Sequence, residues 1–303
     1  MQLDKDLLVR HASFAADGIE ERALSFTVDD DRCFGLLYEP SEPRERGFVI
    51  CHSYGLEFLT LRRIERRVAR ALASLGFAVI SFHSRGYGDS TGSLAEATLD
   101  RHVQDIWAAA GTLRKETGAS DLGLIGAKFG ALMAGLVARS GDVSRLLMIA
   151  PEFTGEGYFR RLIRGKHMVE LAESTDTARK SMDELISELE RDGMLDLLGY
   201  ALYGHLYKAL APVDLTTDVG SFSGDAMVVQ VSKRTSPSSQ ATAFSTSVES
   251  RGGKCRLDVI KEPPGVTIGG PAFVSTSDPY VREDLQEPVV DRIAELVEEW
   301  TTH

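Results

Sequence analysis

The chain has 303 residues, 43% hydrophobic and 26% charged, enough for one large domain with an insertion or for two modest ones. Its 45 acidic and 34 basic residues give a net charge of −11, which disfavours nucleic acid and anionic membrane as general partners. The three cysteines (Cys33, Cys51, Cys255), the absence of an apolar run of membrane-spanning length and the polar start MQLDKDLLVRHASF lead to the expectation of a soluble, cytoplasmic protein without a disulfide framework.

Taken in chain order, residues 23–29 and 33–39 alternate in hydropathy around an Asp-rich turn and predict an antiparallel hairpin. GFVICHSYG follows, a buried strand ending in a glycine turn. Leu61, Ile64, Val68, Leu72 and Leu75 recur at helical spacing over 60–75, and Gly76 closes that helix. The run 77–83 is another apolar strand, followed by the turn 84–90. A helix is expected over 97–116, with Val103, Ile106, Trp107 and Leu113 on one side. LGLIGAKFGALMAG (122–135) runs from an apolar strand into a small-residue helix, and RLLMIA (145–150) is a further strand. Residues 155–210 read as helical, with no reliable strand. Strands resume at 226–232 and 255–261, and a helix at 287–300 ends the chain. The Ser/Thr-rich stretch 235–250 reads as a loop leading into a short helix.

Strands that are apolar along their whole length and alternate with helices specify a parallel sheet covered on both faces. The helical block between two such strands predicts a cap inserted above the C-terminal strand ends, where doubly wound sheets bind ligands. The expected organisation is a core of residues 1–152 and 213–303 and a cap of residues 153–212.

Three motifs in one order then support a family resemblance. Cys51-His52-Ser53-Tyr54-Gly55 follows the third strand, at the place of an H-G oxyanion turn. His83-Ser84-Arg85-Gly86-Tyr87-Gly88-Asp89-Ser90 resembles the D-x-R-G-x-G-x-S turn. Gly126-Ala127-Lys128-Phe129-Gly130 matches the G-x-S-x-G nucleophile elbow, with an amine in place of the hydroxyl. The chain resembles the α/β-hydrolase superfamily, in its serine aminopeptidase-like group. It is most similar to the exosortase-associated "hydrolase 2" type, which tends to carry a basic elbow residue. Gly130-Ala131-Leu132, Gly199-Tyr200 and Asp214-Leu215 add to that similarity. The resemblance implies an α/β fold with a mostly parallel eight-stranded sheet flanked by helices and a helical cap. It also implies a hydrolase by analogy of fold.

The catalytic trio of that superfamily is not evident. Lys128 cannot serve as a hydroxyl nucleophile. The acid position after strand 226–232 reads Ser232-Lys233-Arg234-Thr235-Ser236-Pro237, and the loop 262–280 contains no histidine. The histidines after residue 128 are His167, His205 and His303. Ser53 stands where a glycine is usual, and His83 replaces an aspartate.

Three roles remain open for Lys128. It pairs with a carboxylate, Glu152 or Glu57; or it binds an anion together with the helix N-terminus and the turn 52–55; or it performs chemistry as base, electrophile or Schiff-base nucleophile. The site expected from sequence comprises Lys128 and His52 as catalytic candidates, with Ser53, Tyr54, Phe129, Glu57 and Glu152 around a ligand. His52 and His83 also read as braces of their turns, Arg85 as a tie between its turn and the sheet, and Cys51 as core. Tyr200, Tyr203, Tyr207 and His205 form a cap cluster read chiefly as packing. The arginines 62, 63, 66, 67 and 70 read as a solvated helix face. No metal-ligand spacing occurs, Gly265 to Gly270 is not followed by a helix, and no cofactor is expected. The expected partner is a small anionic or acyl ligand, with a homo-oligomer left open. The functional expectation is a non-catalytic ligand- or partner-binding protein, the alternative a non-serine acyl or ester hydrolase or transferase.

Overall fold

A computed structural model describes residues 13–16, 18–173, 180–261 and 283–302. Strands β1 (Ser13–Ala16), β2 (Ile19–Val28) and β3 (Asp31–Pro40) lead into β4 (Arg46–Cys51) and helix α1 (Leu56–Ser74). Strand β5 (Ala78–Phe82) and helix α2 (Leu99–Thr117) precede β6 (Asp121–Ala127), α3 (Phe129–Ala138) and β7 (Arg145–Ile149). Then come α4 (Gly155–Glu173), α5 (Met182–Asp192), the short strands β8 (Met194–Asp196) and β9 (Ala201–Tyr203), and α6 (Gly204–Leu210). Strand β10 (Asp225–Ser232), α7 (Ser239–Ser250), β11 (Lys254–Lys261) and α8 (Glu283–Thr302) complete the described chain.

The main sheet has nine strands in the order β1-β2-β3-β5-β4-β6-β7-β10-β11. The run from β5 to β11 is parallel, and β1, β2 and β3 add an antiparallel edge. The strand beyond the expected eight is β1, four residues paired to the start of β2, too short to leave a period in the sequence. Alternation along each strand sends neighbouring side chains to opposite faces. Val49 joins the core under α2, α3 and α7, whereas Phe48 and Ile50 join the core under α1 and α8. Termini are set locally. Thr98 accepts the Arg101 N–H at the start of α2, and left-handed Gly118 closes its end.

The segment between β7 and β10 is stapled at its base by the Thr154–Asp214 bridge. The Gly155 N–H donates to the Val213 carbonyl and the Leu215 N–H to the Phe153 carbonyl, both at 2.9 Å. Its buried side chains, among them Tyr158, Phe159, Ile163, Leu189, Leu202 and Leu206, share one continuous core with Phe129 and Leu132 of α3. The expectation that 155–210 holds no strand is corrected by the β8–β9 hairpin. Leu198 and Gly199 turn it with φ of 60° and 93°. Three-residue strands are too short for alternation to register.

Candidate functional site

Lys128 forms the corner between β6 and α3, with φ 52° and ψ −113°. A side-chain-bearing residue rarely adopts positive φ, and the corner is held by sterics on both sides. A Cβ on Gly126 would lie 2.1 Å from the Gly130 carbonyl, and one on Gly130 would lie 2.0 Å from the Cys51 oxygen. Only glycine fits either position, so α3 springs directly over the end of β4. The Lys128 N–H donates to the Ile149 carbonyl at 3.1 Å, and its own carbonyl accepts the Leu132 N–H at 3.1 Å. The residue is half-buried. The α3 N-terminus places the positive end of the helix dipole at the same corner.

The 51–55 turn lies beside the elbow, and its side chains brace it. His52 is buried; its Nε2 accepts the Ser84 N–H at 3.2 Å, which leaves Nδ1–H to donate to the Ser53 carbonyl at 2.8 Å. Burial pushes its pKa down to about 3. Both ring nitrogens of His52, expected as a catalytic candidate, are committed to backbone. Ser53, expected beside a ligand, is fully buried, and its Oγ donates to the Ala127 carbonyl at 2.9 Å. Tyr54 is buried as well, and its hydroxyl donates to the Ala201 carbonyl of β9 at 2.5 Å. It ties the turn after β4 to the β8–β9 hairpin. Phe129 is fully buried between Tyr54 and Tyr158, with ring centroids 5.3 and 5.5 Å away. Cys51 is core, its thiol pushed up by burial and then by Glu65.

Glu57 and Glu152, the two carboxylates weighed as partners of Lys128, both meet Arg161 of α4. The Arg161 guanidinium lies 2.5 Å from Glu57 and 2.9 Å from Glu152, and the Tyr158 hydroxyl donates to Glu57 at 2.9 Å. A planar guanidinium has enough donors to span two carboxylates. Glu57 is buried and carries two donors from one helix. Sequence reasoning missed Tyr158 and Arg161. Their i, i+3 spacing on one helix face was the available signal.

The 83–90 turn is likewise a brace. His83 Nδ1 accepts the Asp89 N–H at 3.2 Å, and burial, then Arg62, pushes its pKa down to about 4. Buried Arg85 donates to Asp105 at 2.7 Å, to Asp29 at 2.7 Å and to Gln104 at 2.9 Å, tying the turn to α2 and to the β2–β3 hairpin. His102, also missed, donates from Nδ1 to the Thr98 carbonyl at 2.8 Å, with Nε2 3.3 Å from the Tyr87 hydroxyl. Burial pushes its pKa down to about 4.

Tyr200 and Tyr203 belong to the β8–β9 hairpin, and Tyr203 stacks on His205 at 5.6 Å. On α1, Arg66 and Arg70 pair with Glu21 and Arg67 with Asp291, so this face is partly engaged. No group of three His, Cys, Asp or Glu fit to hold a metal occurs among the described residues, and none of their helices is long and apolar enough to cross a membrane. The loop 262–280, the Gly265 to Gly270 stretch within it and His303 lie outside the described residues.

No protein-family model matches the chain, and no curated protein matches it. Solved structures do. Est1E from Butyrivibrio proteoclasticus with bound ferulic acid is 16% identical, with a TM-score of 0.59 over 93% of this chain and 100% of that one. An esterase from Pyrococcus furiosus is 14% identical, with a TM-score of 0.58 over 94% and 92% of the two chains. An alpha-beta serine hydrolase homologue from Coxiella burnetii is 17% identical, with a TM-score of 0.54 over 91% and 95%. The sheet order, the strained elbow and these likenesses define the α/β-hydrolase fold. At such identities they establish the fold alone.

Proposed function

We propose that this protein is a non-catalytic α/β-hydrolase-fold homologue that binds a small anionic or acyl ligand at the Lys128 elbow, beneath a cap of residues 153–212. One observation carries the reading. Lys128 keeps the strained elbow backbone, φ 52° and ψ −113°, without the hydroxyl that this strain serves in a serine hydrolase. Such strain costs on the order of 1–3 kcal/mol and persists where a presented side chain has a task. An ammonium at a helix N-terminus suits an anion, since dipole and charge act together. The histidines near the elbow support a non-catalytic role, because His52 and His102 spend both ring nitrogens on structure. Within the superfamily we place the chain nearest the exosortase-associated type, on the basic elbow residue followed by Gly130-Ala131-Leu132.

A second reading is favoured by the esterases among the structural neighbours. In it, Lys128 serves acyl or ester transfer by a non-serine mechanism. One experiment separates the two. Butyrate binding is measured by calorimetry, and p-nitrophenyl butyrate and butyryl thioester turnover by absorbance, on wild type, Lys128→Ala and Lys128→Ser. Saturable butyrate binding lost in Lys128→Ala, with no turnover, supports the binding reading. Turnover by wild type that Lys128→Ala abolishes overturns it in favour of the second.

A further inference from the structure

Glu65 lies on the apolar face of α1 and is buried at 6% exposure, behind the elbow. Its carboxyl is 3.5 Å from the Ser53 hydroxyl, which in turn donates to the Ala127 carbonyl at 2.9 Å. Ala127 precedes Lys128. The Ala127–Lys128 peptide is therefore gripped on both edges, its carbonyl by Ser53 and its N–H by the Ile149 carbonyl at 3.1 Å. The orientation of that peptide plane is one of the two that define φ of Lys128.

The Ser53 hydroxyl has one proton to give. When Glu65 is protonated, its O–H donates to Ser53 Oγ and Ser53 donates to Ala127. When Glu65 is ionised it accepts the Ser53 proton in a charge-assisted bond, and Ala127 loses its donor. Burial pushes the Glu65 pKa up to about 7, while Arg62 and the hydroxyl and backbone N–H of Ser53 pull the other way. Among the described residues, the charged or titratable groups that act on Glu65 or feel it are Arg62 on its own helix and Cys51 at the end of β4, and Cys51 stays a neutral thiol.

We propose that Glu65 is a positioning residue for the elbow: through the Ser53 hydroxyl it sets the Ala127–Lys128 peptide, and so the direction in which Lys128 is presented. The consequence for ligand binding rests on the elbow being the ligand site, as proposed above. The relay itself does not.

The test uses the full chain labelled with ¹⁵N-lysine, the Lys128 amide being assigned by its loss in Lys128→Arg. Its shift is followed from pH 8 to pH 5, with butyrate binding measured on the same samples. The expected wild-type amide moves with a midpoint near neutral. Glu65→Gln, which carries a donor to Ser53 at every pH, flattens that movement at the low-pH position. Ser53→Ala flattens it with Glu65 still in place. The same midpoint in wild type and Glu65→Gln, or its survival in Ser53→Ala, overturns the inference. If Ser53→Ala fails to fold, Glu65→Gln decides alone. A relay present without butyrate binding supports this inference and overturns the proposed function instead.

Discussion

Acidification should destabilise this fold well before its surface carboxylates titrate, because three histidines are folded into the core neutral. Burial pushes the pKa of His52 down to about 3 and those of His83 and His102 down to about 4, from an ordinary 6.5. Each folded value lies below the unfolded one, so the unfolded chain binds more protons and stability falls as pH drops through 6.5. Near pH 5 each unfolded imidazole is almost fully charged while its folded counterpart is neutral, a loss of about 2 kcal/mol each and about 6 kcal/mol together. The result depends weakly on the folded values, since all lie below 5. Glu65 opposes it. Its folded pKa of about 7 is above the ordinary 4.5, so it gains stability over the same window, about 2.5 kcal/mol by pH 5. The net loss from pH 8 to pH 5 is about 3.5 kcal/mol, a large share of a total of roughly 5–15 kcal/mol. Urea unfolding at fixed ionic strength and stepped pH measures it. His102→Gln should reduce the proton uptake on unfolding by about one, and Glu65→Gln should raise it by about one. A stability that is flat or rising from pH 8 to pH 5 would refute the reasoning, as would a Glu65→Gln variant less pH-sensitive than wild type.

Arg161→Ala strands the buried Glu57 carboxylate and should cost about 3–5 kcal/mol, with faster amide exchange in α4 as the local readout. Tyr54→Phe removes the donor to Ala201, and a loss of about 1 kcal/mol should show as weakened exchange protection in β8–β9. Gly130→Ala places a methyl against the Cys51 carbonyl and should cost about 3 kcal/mol or more in denaturant melts. Lys128→Gly relieves positive φ and should leave stability unchanged or raise it by about 1 kcal/mol, while butyrate binding is lost.

The sheet, the order of its turns and the elbow were legible because each depends on local chemistry. Apolar runs of strand length alternate with helical periods, and Gly126 and Gly130 are demanded by contacts within a few residues of the turn or with the adjacent strand. The charge network was not legible. Glu57 and Arg161 are separated by most of the core in sequence, and only the fold of α4 over α1 brings them together. Glu65 stood closer to detection. It falls between Leu61 and Val68 at helical spacing, on the face that carries Ile64 and Leu72, so an acid there is an acid in the core. Treating 62–70 as one arginine-rich solvated face hid it.

The same geometry narrows what Lys128 can be. A general base needs a lone pair aimed at the reacting group. His52 spends its lone pair on the Ser84 N–H, and His83 accepts the Asp89 N–H. His102 is wedged between the Thr98 carbonyl and the Tyr87 hydroxyl. None of the three can take up a proton without breaking a turn or entering a buried charged state. None of these three histidines is placed to serve as a base at the elbow, and the enzymatic and binding readings proposed for Lys128 differ in the protonation state they need. This makes the pH dependence of Lys128 discriminating. A base or nucleophile role requires the amine in its neutral form, so activity by either route should rise with pH. Anion binding requires the proton to stay, so affinity for butyrate should fall as the pH passes the ammonium pKa. A butyrate affinity that rises across that range would remove the ammonium from the binding account.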